Sequence, residues 1–315
     1  MKRQCFSNVS ILILVLAAAA VATAQVRVPR ASPRASVSQT IGVTDISITY
    51  HRPAVKGRTI WGDPPAGSTG ESTMDDGRNR PPNMPIVPYG RLWRTGANDA
   101  TLFVVSDAVQ INGQPLPAGE YSLHTIPGRD EWTIVFNGTA NQWGSFNYDA
   151  SKDLLRVKAK PQNVSENQEY MSFNINPTSD SAAQVVIAWE KVRVPFTVAI
   201  KDVVATTLAR AREAVSAAKS DDWQTPYQAA TYAKTNKAND DAEKWFEQSL
   251  RAIDEQLKVK ESFQNLTRKL NTLIALGRNH EAIAVGETAI AVGKKEKADT
   301  KALEKRIADL KSAAL

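Results

Sequence analysis

Residues 88–144 decide the fold, and they read PYGRLWRTGANDATLFVVSDAVQINGQPLPAGEYSLHTIPGRDEWTIVFNGTANQWG. Apolar and polar residues alternate in this stretch: Trp132, Ile134 and Phe136 share one face, which is typical of a half-buried strand. Asn112-Gly113 separates two apolar runs, and both residues tolerate the positive φ of a hairpin turn. The stretch therefore predicts short antiparallel strands.

The strand pattern continues on both sides of this stretch. Upstream, Ile46, Ile48 and Tyr50 alternate with polar residues. Downstream, strands are predicted over 154–160, 170–176, 185–190 and 192–200. Many short strands with turn signals between them favour an all-β sandwich or barrel over alternating β-α units, so we expect one β domain over residues 37–200.

A helical pattern begins at Lys201, where the apolar period changes from two residues to 3.6. Helices are predicted near 204–215, 223–235, 240–256, 262–276, 280–293 and 300–313. Asn239 and Asn279 begin two similar apolar patterns 40 residues apart, which favours a tetratricopeptide-like repeat over residues 201–315. A plain helical hairpin extension is the alternative, because only two units are visible.

The N-terminus has the pattern of a secretory signal peptide over residues 1–24. A basic start precedes a short apolar run and the small residues Ala22-Thr23-Ala24. We therefore expect a periplasmic or extracellular protein, with no transmembrane segment after signal removal. Its only cysteine, Cys5, lies in this signal, so no disulfide is expected. Residues 25–36 are predicted to be a flexible leader, and the Pro-rich residues 63–87 a disordered insertion.

Five sequence motifs occur in an order that resembles a known bacterial family. They read RPAVKGRTIWG, VPYGRLWRTGAN, LPAGEYSLHTIPG, WTIVFN and NQWG. Together they resemble the domain of unknown function 2911 over roughly residues 30–200. The resemblance implies a secreted β domain, sometimes followed by helical repeats, and it implies no activity.

The WRTGAN motif supplies the first candidates for ligand binding. Arg91, Arg94 and Asn98 surround Trp93, and arginine beside an indole can hold a carboxylate or sugar hydroxyls against an apolar wall. In the alternative interpretation, these side chains satisfy loop carbonyls. Trp143, which is followed by glycine, is a candidate for the rim of a binding site.

His124 is the second candidate, because it lies on the strand face opposite Tyr121 and Leu123. It contacts the ligand in the leading interpretation and is a hydrogen-bonded structural residue in another. A third interpretation is a hydrolase or metal site in which His124 acts with Glu120 and His51. That alternative lacks local support, because the sequence contains no Gly-x-Ser-x-Gly elbow, no phosphate loop and no His-x-His pair.

The net charge of the chain indicates which classes of binding partner to expect. The formal net charge of +6 comes from 39 basic and 33 acidic residues without a long run of one sign. A nucleic-acid partner is therefore not expected, since such proteins cluster their basic residues. We expect a non-enzymatic binding or interaction module of the cell envelope, without a cofactor. It takes a small polar or carbohydrate ligand, and its helical tail offers a surface to a protein partner.

Overall fold

The alternating strands bury one face each, and two sheets use these faces to enclose a common apolar core. The computed structural model describes residues 28–66 and 84–313. The described strands are β1 (Arg34–Ile41), β2 (Thr44–His51), β3 (Trp61–Gly62), β4 (Val87–Pro88), β5 (Thr101–Val105), β6 (Val109–Ile111), β7 (Gln114–Leu116), β8 (Gly119–Ile126), β9 (Trp132–Asn137), β10 (Asp153–Ala159), β11 (Gln162–Ser179) and β12 (Ala182–Ala199). One sheet has six strands in the order β1-β2-β5-β8-β9-β10, and the other has four in the order β11-β12-β6-β7.

The predicted all-β domain is thus confirmed, and its architecture is a sandwich. Ile46 and Ile48 of β2 are fully buried, whereas Ser47 and Thr49 on the other face are only half-buried. The hairpin at Asn112-Gly113 joins β6 to β7, with φ values of 47° and 82°. Asparagine and glycine are the residues that tolerate this left-handed backbone best.

Two strands predicted at 185–190 and 192–200 are in fact one, β12. Glu190 has a φ of 51°, and the pairing with β11 shifts register beside it. The bend is a bulge, which deflects a strand without ending it. The break at Lys191 between the two predicted strands was therefore wrong.

Several expectations near the N-terminus concern residues that the structure only partly describes. The expected signal peptide at 1–24 lies outside the described residues. Strand β1 begins at Arg34, so the last three residues of the expected leader pair with β2. Most of the expected insertion, 67–83, is also outside the described residues. Its end is ordered, since Val87 is 1% exposed and Ile86 packs against the core.

The two ends of that insertion lie side by side. Strands β3 and β4 pair in parallel, with Trp61 opposite Val87 and Gly62 opposite Pro88. The amide of Tyr89 also donates to the carbonyl of Gly62 at 2.8 Å. The WG and VPYG motifs are therefore neighbours in the fold, although 24 residues separate Gly62 from Val87.

Six helices follow the sandwich in the described chain, as predicted. They are α1 (Val203–Ala217), α2 (Gln224–Thr235), α3 (Asn239–Val259), α4 (Phe263–Ala275), α5 (Asn279–Lys295) and α6 (Lys301–Ala313). The turns before α3 and α5 share their geometry: Ala238 and Arg278 have the same φ of −84°, with ψ values of 66° and 63°. The 40-residue offset is thus present in the backbone as well as in the sequence. None of the described helices has the length and apolar character needed to cross a membrane.

Candidate functional site

The outer face of the six-stranded sheet carries polar residues that a loop covers. Ser122 and His124 of β8 lie on the face opposite the core residues Tyr121 and Leu123, because successive side chains of a strand point to opposite faces. Residues 138–149, here called the covering loop, cross this face. Gln142 Nε2 donates to Ser122 Oγ at 3.0 Å.

Backbone hydrogen bonds hold the covering loop against the WRTGAN loop. The amide of Ala100 donates to the carbonyl of Gln142, and the amide of Gly144 donates to the carbonyl of Asn98, both at 3.0 Å. Gly96 allows the WRTGAN loop to approach β2, since a Cβ there would lie 3.0 Å from the carbonyl oxygen of His51. The two motifs thus meet at the end of β2.

A cleft of about 380 Å³ lies where these elements meet. The first two strands and residue Leu102 form its floor, and the covering loop forms one wall. Two of its lining residues, Arg34 and His51, face each other across the β1–β2 pairing. The lining residues are Arg34, Thr49, His51, Asp99, Ala100, Leu102, Ala140, Asn141, Gln142 and Trp143.

The polar groups of the cleft centre on Asp99. Its Oδ2 lies 3.7 Å from His51 Nδ1 and 3.6 Å from Arg30 Nη1. The Arg30 guanidinium also lies over the Trp143 ring, 5.9 Å from its centroid, at cation–π distance. Trp143 is 53% exposed. The cleft therefore combines an exposed indole with charged groups.

Burial and neighbouring charges shift the pKa values of His51, which lines the cleft, and of Arg94, which lies behind it. Burial lowers the pKa of His51, Asp99 opposes that shift, and Arg30, Arg34 and Arg94 add to it. Burial also lowers the pKa of Arg94 to about 10, with Asp99 acting in the opposite direction. His51 is thus neutral at pH 7, while Arg94 keeps its charge.

His124 lies deeper, within the sheet and under the covering loop. It is fully buried, and its ring centroid is 5.1 Å from that of Tyr148. Neither ring nitrogen has a hydrogen-bond partner of normal geometry among the described residues, although the carbonyls of Ser122 and Gly144 are close enough to raise its pKa. Burial is the larger effect and lowers the pKa to about 4. His124 is therefore a neutral, enclosed side chain.

A hydrogen-bonded cluster closes this buried space. Tyr148 donates its hydroxyl to Asp153 at 2.6 Å from Oδ2, and Asn137 Nδ2 donates to Oδ1 of the same carboxylate at 2.8 Å. Arg156 Nε donates to Asp153 at 2.7 Å. Burial and then Asp153 raise the pKa of Tyr148. The cluster anchors the covering loop to β9 and β10.

Trp93 belongs to the core and not to the cleft. It is 4% exposed, and its ring stacks on Trp189 at 5.8 Å. Trp61 and Trp132 contact it edge-on, with centroids at 5.6 and 6.3 Å. Its Nε1 donates to the carbonyl of Gly96 at 3.0 Å. Its position is that of a structural residue holding the WRTGAN loop.

The other candidates from that motif lie near the cleft without lining it. Asn98 Nδ2 donates to the carbonyl of Ser32 at 3.3 Å, so it satisfies a loop carbonyl. Arg94 is partly buried behind the cleft and interacts electrostatically with both His51 and His124. Arg91 is half-buried in the turn after Gly90. Of the six residues expected to bind a ligand, only Trp143 lines the cleft.

The alternative metal or hydrolase residues do not converge. Glu120 is exposed and lies four residues before His124 on β8, roughly 13 Å away along the strand. Strand β5 separates β8 from β2, which carries His51. Over residues 28–66 and 84–313, no group of three or more His, Cys, Asp and Glu side chains could hold a metal ion.

Sequence reasoning missed Arg34 as a site residue. It falls in the stretch read as a leader, where no strand pattern is visible, yet its pairing opposite His51 places it in the cleft. Asp99 lies directly after the WRTGAN motif, but nothing in the local sequence marks it as a site residue. Its partners come from residues 48 and 69 positions upstream in the chain, His51 and Arg30, and no local pattern indicates such a contact.

The fold and the site define a two-sheet antiparallel sandwich with a cleft on one outer face and a helical region after it. Residues 32–198 match the family model described as "Protein of unknown function (DUF2911)". The match covers a little over half of the chain, and the chain belongs to this family. No curated protein and no solved structure matches the chain.

Proposed function

We propose that this protein is an exported, non-enzymatic binding module whose β-sandwich holds a small polar or carbohydrate ligand in the cleft beside Trp143. The observation that carries the proposal is the exposed indole of Trp143 at the wall of a cleft that also presents Arg34, His51 and Asp99. An aromatic wall with a few polar groups is the usual composition of a small-molecule site.

The geometry favours binding over hydrolysis. A general acid or base must come within hydrogen-bond reach of the reacting group. His124 is fully enclosed, and Glu120 lies at a distant position of the same strand. The residues named for the hydrolase alternative therefore have no common point of access to a ligand in the cleft.

Ligand binding is tested with a panel of neutral and acidic oligosaccharides. Intrinsic fluorescence and isothermal titration calorimetry measure the affinity for each one. For any saccharide that binds, Trp143→Ala is expected to weaken affinity about tenfold, because stacking on an aromatic ring contributes on the order of 1–2 kcal/mol. Phe146→Ala is the matched control. Phe146 is similarly exposed and lies on the same loop, but it does not line the cleft.

A Trp143→Ala variant that keeps the affinity of the wild type would overturn the assignment of this cleft. A panel in which no saccharide binds would count against a carbohydrate ligand altogether. Circular dichroism of both variants establishes that they remain folded. This control is informative because neither side chain belongs to the core.

Export is the second part of the proposal and rests on residues 1–24 of the sequence. Cells that express the full chain are fractionated, and the N-terminus of the product is sequenced. We expect an exported protein that begins at Gln25. A product that stays in the cytoplasm with its first 24 residues in place would refute export.

The helical region is proposed to offer a surface to a protein partner. Its support is the succession of helical hairpins with a repeated 40-residue geometry, an arrangement that builds extended surfaces. Site-specific cross-linking from exposed positions of α3 and α5 in the native host tests this. Cross-links that are equally frequent from the outer sheet face would argue against a specific role of the helices.

A further inference from the structure

The charged groups in and around the cleft include more arginines than carboxylates. Three arginines act on His51 at its inner end, Arg30, Arg34 and Arg94, and only one carboxylate, Asp99, opposes them. Because burial keeps His51 neutral, it does not change this balance at pH 7. The lining itself carries one arginine and one carboxylate, Arg34 and Asp99, so a preference for an anionic ligand has to come from Arg34 and from the arginines that surround the cleft.

The charged residues at the cleft differ in whether they have a partner of opposite charge. Asp99 lies within ion-pair distance of Arg30, and it also raises the pKa of Arg94. Arg34 lines the cleft, and among the described residues it has no carboxylate within ion-pair distance. Its planar guanidinium can donate two parallel hydrogen bonds to a carboxylate, which is the geometry that arginine recognises best.

Trp143 adds a shape requirement to this charge requirement. Trp143 lines the cleft and is 53% exposed, and the Arg30 guanidinium lies over its ring at 5.9 Å from the centroid. A flat, weakly polar face such as that of a sugar ring packs well on an exposed indole. One ligand that meets both requirements has a ring for Trp143 and a carboxylate for Arg34.

We infer that the ligand is an acidic saccharide, whose ring lies on Trp143 and whose carboxylate pairs with Arg34. This inference rests on the proposed function of the cleft and specifies its ligand class. Asp99 Oδ2 lies 3.6 Å from Arg30 Nη1 and 3.7 Å from His51 Nδ1, whereas Arg34 has no carboxylate within ion-pair distance among the described residues and is available to the ligand. Asp99 disfavours an anion placed deeper, next to His51.

The test compares an oligogalacturonide with its fully methyl-esterified form, which has the same rings without the charge. Affinities are measured by calorimetry for the full exported chain at low and at moderate salt. The wild type is expected to bind the acid at least about tenfold more tightly than the ester, since hydrogen bonds to charged groups contribute more than neutral ones. Added salt should weaken only the binding of the acid.

Arg34→Gln is the deciding variant, and Arg129→Gln is its matched control, since Arg129 is an exposed arginine paired with Asp63 outside the cleft. Arg34→Gln is expected to abolish the preference for the acid over the ester, and Arg129→Gln is expected to keep it. Equal binding of acid and ester by the wild type would overturn the ligand class while leaving the cleft as a saccharide site. The proposed function would be overturned as well if Trp143→Ala bound both ligands as tightly as the wild type does, or if the wild type bound neither ligand.

Discussion

Arg210 of α1 and Asp107 of the β5–β6 turn form a two-point ion pair that joins the helical region to the sandwich. Arg210 Nε donates to Asp107 Oδ1 at 2.9 Å, and its Nη2 donates to Oδ2 at 2.7 Å. The same Nη2 donates to Ser106 Oγ at 2.7 Å. At the other end of this junction, Val203 packs against the sandwich core.

Breaking this ion pair is expected to destabilise the junction moderately. Asp107→Asn and Arg210→Gln, combined in a double-mutant cycle, should give a coupling free energy of about 1 kcal/mol, because the fork geometry is favourable but the arginine is 38% exposed and screened by solvent. Urea unfolding measures it. The exposed pair Lys258–Glu255 is the control and should give a smaller coupling. Equal couplings in both pairs would contradict a specific role of Arg210.

His124 is expected to make the protein less stable in acid. Its pKa is about 4 when folded against a reference of 6.5, so the unfolded chain binds the additional proton between these values. Its contribution to the unfolding free energy is therefore fully present above pH 6.5 and is lost as the pH falls towards 4, by up to about 3 kcal/mol. Burial of His51 acts in the same direction.

The measurement is the slope of the unfolding free energy against pH in His124→Gln. This slope should be shallower than in the wild type between pH 4 and 6.5, whatever the variant's absolute stability. His280→Gln is the control, because His280 is exposed near the start of α5, outside the sandwich. An unchanged slope in His124→Gln would show that this histidine does not resist protonation.

Gly286 is expected to be necessary for the crossing of α5 and α6. A Cβ at this position would overlap Ile307 Cδ1 and lie 2.8 Å from its Cγ1. Gly286→Ala should therefore destabilise the helical region by about 1–3 kcal/mol, although alanine is the better helix former. Adding Ile307→Ala removes both of those atoms, so the double variant should lose less than the sum of the single losses. Additive losses in urea unfolding would refute the close contact.

Trp93 and Trp143 are expected to affect different properties. Trp93→Phe removes the hydrogen bond to Gly96 and part of the stacking on Trp189, so it should lower the unfolding free energy by about 1–3 kcal/mol. Binding of the oligogalacturonide should remain, since Trp93 does not line the cleft. Trp143→Ala should show the reverse pattern. A binding defect in a folded Trp93→Phe variant would restore Trp93 to the site.

The sequence predicted the architecture well because the decisive patterns are local. Alternation at Ile46 and Ile48, positive-φ residues at Asn112-Gly113 and the change of period at Lys201 each act over a few residues. The break predicted at Lys191 was wrong for a related reason: the bulge at Glu190 interrupts the local alternation, but the strand continues because it stays paired with β11.

The candidate site was predictable only in part, because its residues meet through tertiary contacts. Arg30, His51 and Asp99 come from three separate segments, and only the pairing of β1 with β2 and the closure of the covering loop bring them together. Trp93 and Trp143 look alike in sequence, since both adjoin glycine-containing turns. The fold buries the first in the core of the sandwich and leaves the second exposed at the cleft.

Because β3 and β4 pair directly with each other, the length of the segment between them has little effect on the stability of the fold. Because the chain leaves the sandwich at Gly62 and returns at the adjacent Pro88, the two anchor points stay fixed whatever connects them. Loop-closure entropy grows only slowly with length. The segment between Gly62 and Val87 is therefore a suitable insertion site in protein engineering. We expect it to accept an affinity tag or a fluorescent reporter without a change in either sheet or in the cleft.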